Sequence, residues 1–370
     1  MLPFVGEGAE SEQNREMARV TLQTIADRVG VSRMTVSNAF SRPDQLSPEL
    51  RRRILSAADD LGYVGPDPAA RALARGRTGA VGVLLTDSLR GAFSDEVATT
   101  FLGAIADGLE PSGLALTLLS SGRGDIIPAR DVPMDGAFIY SCDTSSPGVE
   151  WLRRRKLPLV FIDHTPADGD PSINIDDRAG ARAAAEHIIQ LGHRRIGILT
   201  ASFTGPHGLV SDPVAAAVGH VTRHRMLGWL DALEAGGTRP VVVQLPNSEE
   251  HLGYDGARSL LDHDEQRPTA LLCFSDSIAA GAVRAAASLG LDVPGDLSIV
   301  GFDDSPLAAH NRPPLTTVRQ DVEAKGRLAT SLLTAQIEQL RTGTAPTPAE
   351  HVLLPTELVV RDSSAPPKRA

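Results

Sequence analysis

From residue 80 onward, short apolar runs alternate with longer Ala-rich stretches. The runs are 80–85 (AVGVLL), 114–119 (LALTLL), 136–140 (GAFIY), 158–162 (PLVFI), 196–200 (IGILT), 240–243 (PVVV), 269–274 (TALLCF) and 297–302 (LSIVGF). Nearly continuous apolar runs predict strands buried on both faces, as in parallel sheets covered by helices. Segments 177–191 and 275–290 lie between such runs and carry apolar residues at helical spacing. This stretch of about 290 residues is too long for one doubly wound unit and suits two. Polar residues follow several runs, where open parallel sheets bind ligands. Thr86 and Phe93 follow the first run, Asp163 follows PLVFI, Ser275-Asp276 follow TALLCF, and Asp303-Asp304 follow LSIVGF. Arg225 opens a predicted helix that begins RMLGW. Polar groups gathered at strand ends predict a site for a polyhydroxy ligand, gripped by charge-assisted hydrogen bonds. Asp276 equally suits a helix cap, and Asp304 a turn brace.

The first part of the chain has another pattern. Residues 20–41 read VTLQTIADRVGVSRMTVSNAFS. Thr21 is placed to cap a first helix, with Ile25 and Val29 on its inner face and Ala26 allowing a close crossing. Gly30 suits a tight turn at positive φ. Ser32 suits the N-cap of a second helix, with Thr35 at its N3 position and Val36 turned inward. Arg33, Met34, Ser37 and Asn38 are left on the outer face. A third helix is predicted from Ser47-Pro48-Glu49, with Leu50, Ile54, Ala58 and Leu61 beneath the first two and Gly62 as its stop. A helical hairpin of some other domain is the alternative to a helix-turn-helix. Between Arg19 and Arg77 ten Arg face six acids, a balance of +4, so with the chain at −10 the remainder carries −14. A basic end on an acidic body points to nucleic acid bound at that end. Arg51, Arg52 and Arg53 suit a solvated face as well as phosphate contact.

The pattern T-x-x-x-I-A-x-x-x-G-V-S-x-x-T-V-S resembles the DNA-binding head of the lactose/galactose repressor (LacI/GalR) family, and the resemblance extends over residues 20–362. It implies a mixed α/β chain: an all-α helix-turn-helix head and a two-lobed, doubly wound core of the type I periplasmic-binding-protein kind. Three passages between lobes are expected near 174–177, 304–315 and 319–325. The expected organisation is a flexible tail at 1–18, a head at 19–64, a hinge at 65–79, a core at 80–362 and a flexible tail at 363–370. Thr21 and Leu22 join Ser32, Arg33, Met34, Thr35, Ser37 and Asn38 as candidate DNA contacts. The short hydroxyls suit phosphates, while Arg33 and Met34 suit base edges. Asn38 suits adenine or a phosphate, where many members of that family carry Arg. By resemblance Leu73, with Ala70 beneath it, wedges into the minor groove; a plain linker is the alternative. Arg225 and Asp303 match the family's Arg and Asp for sugar hydroxyls or related groups.

Two departures from that family stand out. The connection 120–135 is short for a full crossover helix. Segment 201–222 is long, with His207 and His220 among Gly, Ala and Val, and is expected to be a lid or a disordered loop. Its histidines lack metal-ligand spacing, so no metal is expected. Nucleotide-binding glycine loops, nucleophile elbows and zinc-protease motifs are missing, so no catalytic residue or cofactor is assigned. No run approaches a membrane span. The polar first eighteen residues do not make a secretory signal, and Cys142 and Cys273 suit reduced interior thiols in cytoplasm. The expectation is a cytoplasmic homodimeric regulator, commonly a repressor in that family. Its partners are operator DNA, read as a pseudo-palindrome, and a small sugar-like effector. A solute-binding protein of a transport system is the alternative.

Overall fold

The computed structural model describes residues 20–65, 67, 71–72, 76–85, 89–121, 125–141, 146–165, 169–262, 267–345 and 347–368. The chain divides into two units between Thr78 and Gly79. In the first, α1 (Leu22–Val29), α2 (Arg33–Ser41) and α3 (Pro48–Asp60) form a three-helix head. Thr21 and Thr24 cap α1 reciprocally, and Gly30 ends it at φ +78°. Ser32 Oγ accepts from Thr35 N–H at 3.0 Å to start α2, and Ser47 does the same for α3 ahead of Pro48. Ile25, Ala26, Val36, Ala39, Ile54 and Ala58 are fully buried together. Arg53 is exposed, as the solvated-face reading has it, and donates to the Val29 carbonyl, while the half-buried Arg51 donates to the Ala39 carbonyl, so the two stitch α3 to the ends of the other two helices.

The second unit holds two sheets. β1 (Ala80–Leu85), β2 (Ala115–Ser120), β3 (Ala137–Tyr140), β4 (Leu159–Ile162), β5 (Ser172–Ile175) and β12 (His351–Leu354) run parallel in the order β12-β5-β4-β3-β1-β2. β6 (Ile196–Ala201), β7 (Gly208–Leu209), β8 (Val241–Leu245), β9 (Ala270–Cys273) and β10 (Ser298–Val300) follow the order β10-β9-β6-β8-β7, antiparallel only at β7. The eight apolar runs coincide with eight of these strands. β11 (Thr317–Gln320) and β13 (Thr356–Val359) make a separate antiparallel pair.

Helices cover both faces of each sheet, because successive side chains of a buried strand must each find an apolar layer. On the first sheet, α4 (Leu89–Ser94), α5 (Glu96–Leu109) and α14 (Val322–Thr342) share one layer with Val83, Phe138 and Val160. The short α6 (Pro128–Asp131) and α7 (Pro147–Arg154) cover Leu84 and Ile139. On the second, α8 (Asp177–Gln190) and α10 (His220–Ala235) bury Ile198, Val242 and Leu272. α11 (Glu250–Leu261) and α12 (Asp276–Ser288) bury Leu199, Val243 and Cys273. The short β2–β3 connection carries only the single turn α6 among its described residues, as its length implied.

Three expectations are corrected. The chain passes between lobes at 175–177, 320–322 and 354–356; the passage expected at 304–315 stays in the second lobe. There α13 (Pro306–His310) leads to Leu315, and Ala308 and Leu315 are both completely buried in the α11/α12 layer. The long 201–222 segment is ordered: β7 pairs with β8, and α9 (Pro213–Ala216) is capped by Asp212. Residues 363–368, expected to be a flexible tail, are docked. Ser363 exchanges hydrogen bonds with Ile299, Ala365 bonds Ser298 and His193, and Lys368 pairs with Asp296.

The lobe of α8 and α10 depends on close backbone approach. A Cβ on Gly228 of α10 would stand 2.2 Å from the Arg178 carbonyl oxygen of α8. Gly228→Ala is therefore expected to destabilise the core by ~1–3 kcal/mol, as overpacking does. The check is the midpoint of chemical denaturation of the full chain, which should fall.

Candidate nucleic-acid interface and ligand cleft

On the head, the cap at Ser32 decides which residues face outward. Its hydroxyl and N3 partner start α2 so that Val36 and Ala39 turn inward. Arg33 and Met34 are then left exposed in the first turn, Met34 at 69% of its surface. An apolar thioether held open beside a guanidinium suits a groove edge. Ser37 and Asn38 are half-buried: the Ser37 carbonyl accepts from Ser41, and the Asn38 amide donates to Gln45 at 3.2 Å. Thr21 and Leu22 stand at the start of α1, Thr21 exposed and Leu22 against the head core. Ala70 and Leu73 lie outside the described residues.

The core unit brings its candidates together around Arg225. This residue sits in the second turn of α10, which begins at His220 rather than at Arg225 as the sequence suggested. Arg225 Nε donates to Asp177 Oδ1 at 2.8 Å, Nη1 donates to the Phe274 carbonyl, and Nη2 reaches Asp303 Oδ1 at 3.4 Å. The guanidinium lies over the Phe302 ring, 3.5 Å from its centroid, and near Phe274. Burial pushes the carboxyl of Asp303 well above its usual range, with Arg225 pulling the other way. Burial raises Asp177 as well, against the same guanidinium.

From the other lobe comes Asp163, at the end of β4, whose two oxygens each accept from Lys325 Nζ at 2.8 Å. Lys325 also donates to Gln320 Oε1 at 3.1 Å, and Gln320 Nε2 donates to Asp303 Oδ1 at 2.7 Å. One line of contacts thus joins the carboxyl ends of the two sheets. Asp163, Asp303 and Asp304 all take positive φ, at 55°, 112° and 55°. Such backbone is costly for non-glycine residues and collects at functional sites.

Other candidates separate. Ser275, not Asp276, caps α12, accepting from Ile278 N–H. Asp276 spends both oxygens on Ser305 N–H and the Thr317 hydroxyl, bracing the turn after β10. Burial lifts its pKa to about 7. Asp304 pairs with Arg319 and Arg361. Phe93 on α4 is 65% exposed, apart from this buried line. Thr86 and Cys142 lie outside the described residues, and Cys273 is buried on β9.

Asp177, Gln320 and Lys325 were missed by sequence reasoning. A signal for Lys325 was present: it shares the buried face of α14 with Val322, Ala329 and Leu333, where a lysine has no business unless paired. A second lobe-to-lobe contact joins Thr165 Oγ1 to His220 Nδ1 at 3.3 Å, with the His224 ring beside that of His220, centroids 4.1 Å apart and planes tilted by 36°. No group of metal-ligating side chains occurs among the described residues.

Comparison with known proteins agrees with both halves. Residues 21–65 match the model for bacterial regulatory proteins of the lacI family, and 185–364 match a periplasmic binding protein-like domain. An HTH-type transcriptional regulator of Mycolicibacterium smegmatis is 39% identical over 85% of this chain and 90% of its own length. A transcriptional regulator CelR–cellobiose complex superposes with TM-score 0.66 at 28% identity, covering 93% of this chain and all of the other. The lac repressor dimer bound to operator and the anti-inducer ONPF gives 0.70 at 26%, covering 94% of this chain and 99% of the other.

Burial pushes His220 down to about 4, helped by its neighbour His224. The folded chain thus holds it neutral where the unfolded chain, with a pKa of about 6.5, takes up a proton. Its contribution is complete above pH ~6.5 and is lost as pH falls toward 4. Relative to the parent, His220→Asn should flatten the fall in stability across that window, read by denaturation at a series of pH values.

Proposed function

The chain belongs to the lacI family of bacterial regulatory proteins, and from that premise we propose how it acts: as a dimeric repressor whose hold on a pseudo-palindromic operator is set by a sugar-like molecule between its lobes. The lac repressor structure, a dimer on operator, supports the first half of this reading. The CelR complex with cellobiose supports the second. A twofold protein matches twofold DNA, with one α2 in each half-site. Ser32, Thr35, Ser37 and Thr21 hold phosphates, while Arg33 and Met34 read base edges. Leu22 sits at the mouth of the head, Asn38 contacts adenine or phosphate, and Leu73 with Ala70 opens the minor groove.

The observation that carries the effector half is the buried Arg225, spanned by Asp177 and Asp303 where the sheets' carboxyl ends meet. A guanidinium and a carboxylate fixed side by side grip adjacent hydroxyls of a sugar. Asp163 stands across from them on the first lobe, joined through Lys325 and Gln320. Ligand that binds one lobe arrangement better than another shifts the population of that arrangement, and DNA affinity follows. The solute-binding alternative is disfavoured by the head itself, which matches over residues 21–65. The relatives are regulators rather than enzymes, and no described helix is long and apolar enough to cross a membrane.

Two experiments test this. In gel shifts against genomic fragments, affinity should fall steeply with salt, as counterion release requires. Arg33→Ala should relax discrimination at one base pair of each half-site by ~1–3 kcal/mol. Equal weakening on every sequence would make Arg33 a phosphate contact instead. In a thermal-shift screen of sugars and nucleosides, Arg225→Lys should lose the response of the parent chain. It keeps the charge and surrenders the planar fork. A response it retains would place the ligand elsewhere.

A further inference from the structure

The line of contacts through the cleft contains two residues that the reading above leaves without a role. Lys325 begins the long α14 and is only 1% exposed. Gln320 ends β11, at the point where the chain passes from the second lobe to the first. Between them they tie Asp163 to Asp303, so the full order is Asp163–Lys325–Gln320–Asp303–Arg225–Asp177. Both cations in this line are already paired with carboxylates, while two N–H groups of the Arg225 guanidinium remain for a neutral hydroxyl. Lys325 gives two of its three donors to Asp163 and the third to Gln320. Arg225 is shared among Asp177, Asp303 and the Phe274 carbonyl. Three carboxyl groups therefore face two cations, and Asp95 is near enough to act on both Asp303 and Tyr140.

We propose that Lys325 and Gln320 are positioning residues of the effector site, and that the line they complete admits uncharged polyhydroxy ligands while excluding phosphorylated and carboxylated ones. The proposal rests on the reading that Arg225 and Asp303 hold the effector. The physical argument is one of charge balance. The charge of each cation is already balanced by a buried carboxylate, so an anionic ligand would add an uncompensated negative charge or must displace a carboxylate and leave it unpaired. Burial favours the neutral form of Asp303, and neutralising it brings the line to zero net charge without making it positive. A hydroxyl, by contrast, donates to an Asp oxygen and accepts from an N–H without altering the balance. Lys325 keeps Asp163 aimed by bonding both of its oxygens. Gln320 transmits that alignment across the passage between lobes, since its amide accepts at one end and donates at the other.

The test uses the full chain and two ligand sets: ribose, cellobiose and sugar alcohols against sugar phosphates and sugar acids. Thermal shift and calorimetry are read on the parent, Arg225→Lys, Lys325→Gln, and the double variant Asp163→Asn with Lys325→Gln. Uncharged members should bind the parent and charged ones should not. Lys325→Gln should melt lower than the parent, because Asp163 is left alone. The double variant, with both charges removed, should recover most of that loss yet bind its uncharged ligand at least tenfold more weakly. A double variant that binds as tightly as the parent would reduce Lys325 to a structural lysine. A sugar phosphate or acid that binds the parent and is lost in Arg225→Lys would overturn the exclusion while leaving the effector reading intact. An uncharged ligand indifferent to Arg225→Lys would overturn the effector reading itself.

Discussion

A guanidinium taken out of water must be surrounded by acceptors, and the core unit is arranged to do this for Arg225. Asp177 begins α8, the Phe274 carbonyl follows β9, and Asp303 follows β10. One side chain therefore fixes where three elements end relative to α10. The cost of breaking such a buried pair by removing one partner is about 3–5 kcal/mol, comparable with much of a domain's net stability. The same two helices, α10 and α8, approach so closely that a Cβ at position 228 would stand 2.2 Å from the Arg178 carbonyl oxygen.

The same demand shapes the first lobe. Lys325 is buried on a helix otherwise lined by Val322, Ala329 and Leu333, and Asp163 at the end of β4 answers its charge. Each lobe thus carries its own compensated ion pair at the carboxyl end of its sheet, and Gln320 joins the two. A small motion of one lobe would be felt at the other through bonds of fixed length rather than through a soft apolar layer. What loosens one pair therefore bears on its neighbour.

Much of this was legible in the sequence, for reasons that differ by residue. The strands β1 to β4, β6, β8, β9 and β10 are continuous apolar runs because both of their faces are covered. β12 and β13 were not seen, since HVLLPTELVV is broken by Pro355 and its residues are exposed or only half-covered rather than buried on both faces. The head was readable almost to the residue, because caps and turns are local chemistry at Thr21, Gly30 and Ser32. Asp303 was nominated by its place after a strand, Arg225 by its place at the opening of a predicted helix, and both by resemblance. Asp177 was hidden because a pair 48 positions apart in sequence leaves no local trace, and the partner of Lys325, 162 positions away, was hidden likewise although the lysine itself stands out on an apolar helix face. Segment 363–368 was misread for a related reason: its Ser, Ala and Pro have a disordered composition, yet its backbone finds partners at Ser298 and Ile299.

The place of β12 has a bearing on how this chain is made. The first sheet takes its edge strand from residues 351–354, so β5 stays open on that side until nearly the whole polypeptide has left the ribosome. The three-helix head, by contrast, has all its core residues by Tyr63. During synthesis the part that would read DNA is finished early, while the sensing lobes keep a bare strand edge, the feature most open to mispairing, until the end. Chains that stop short of residue 351 would then carry a complete head and an unfinished first lobe.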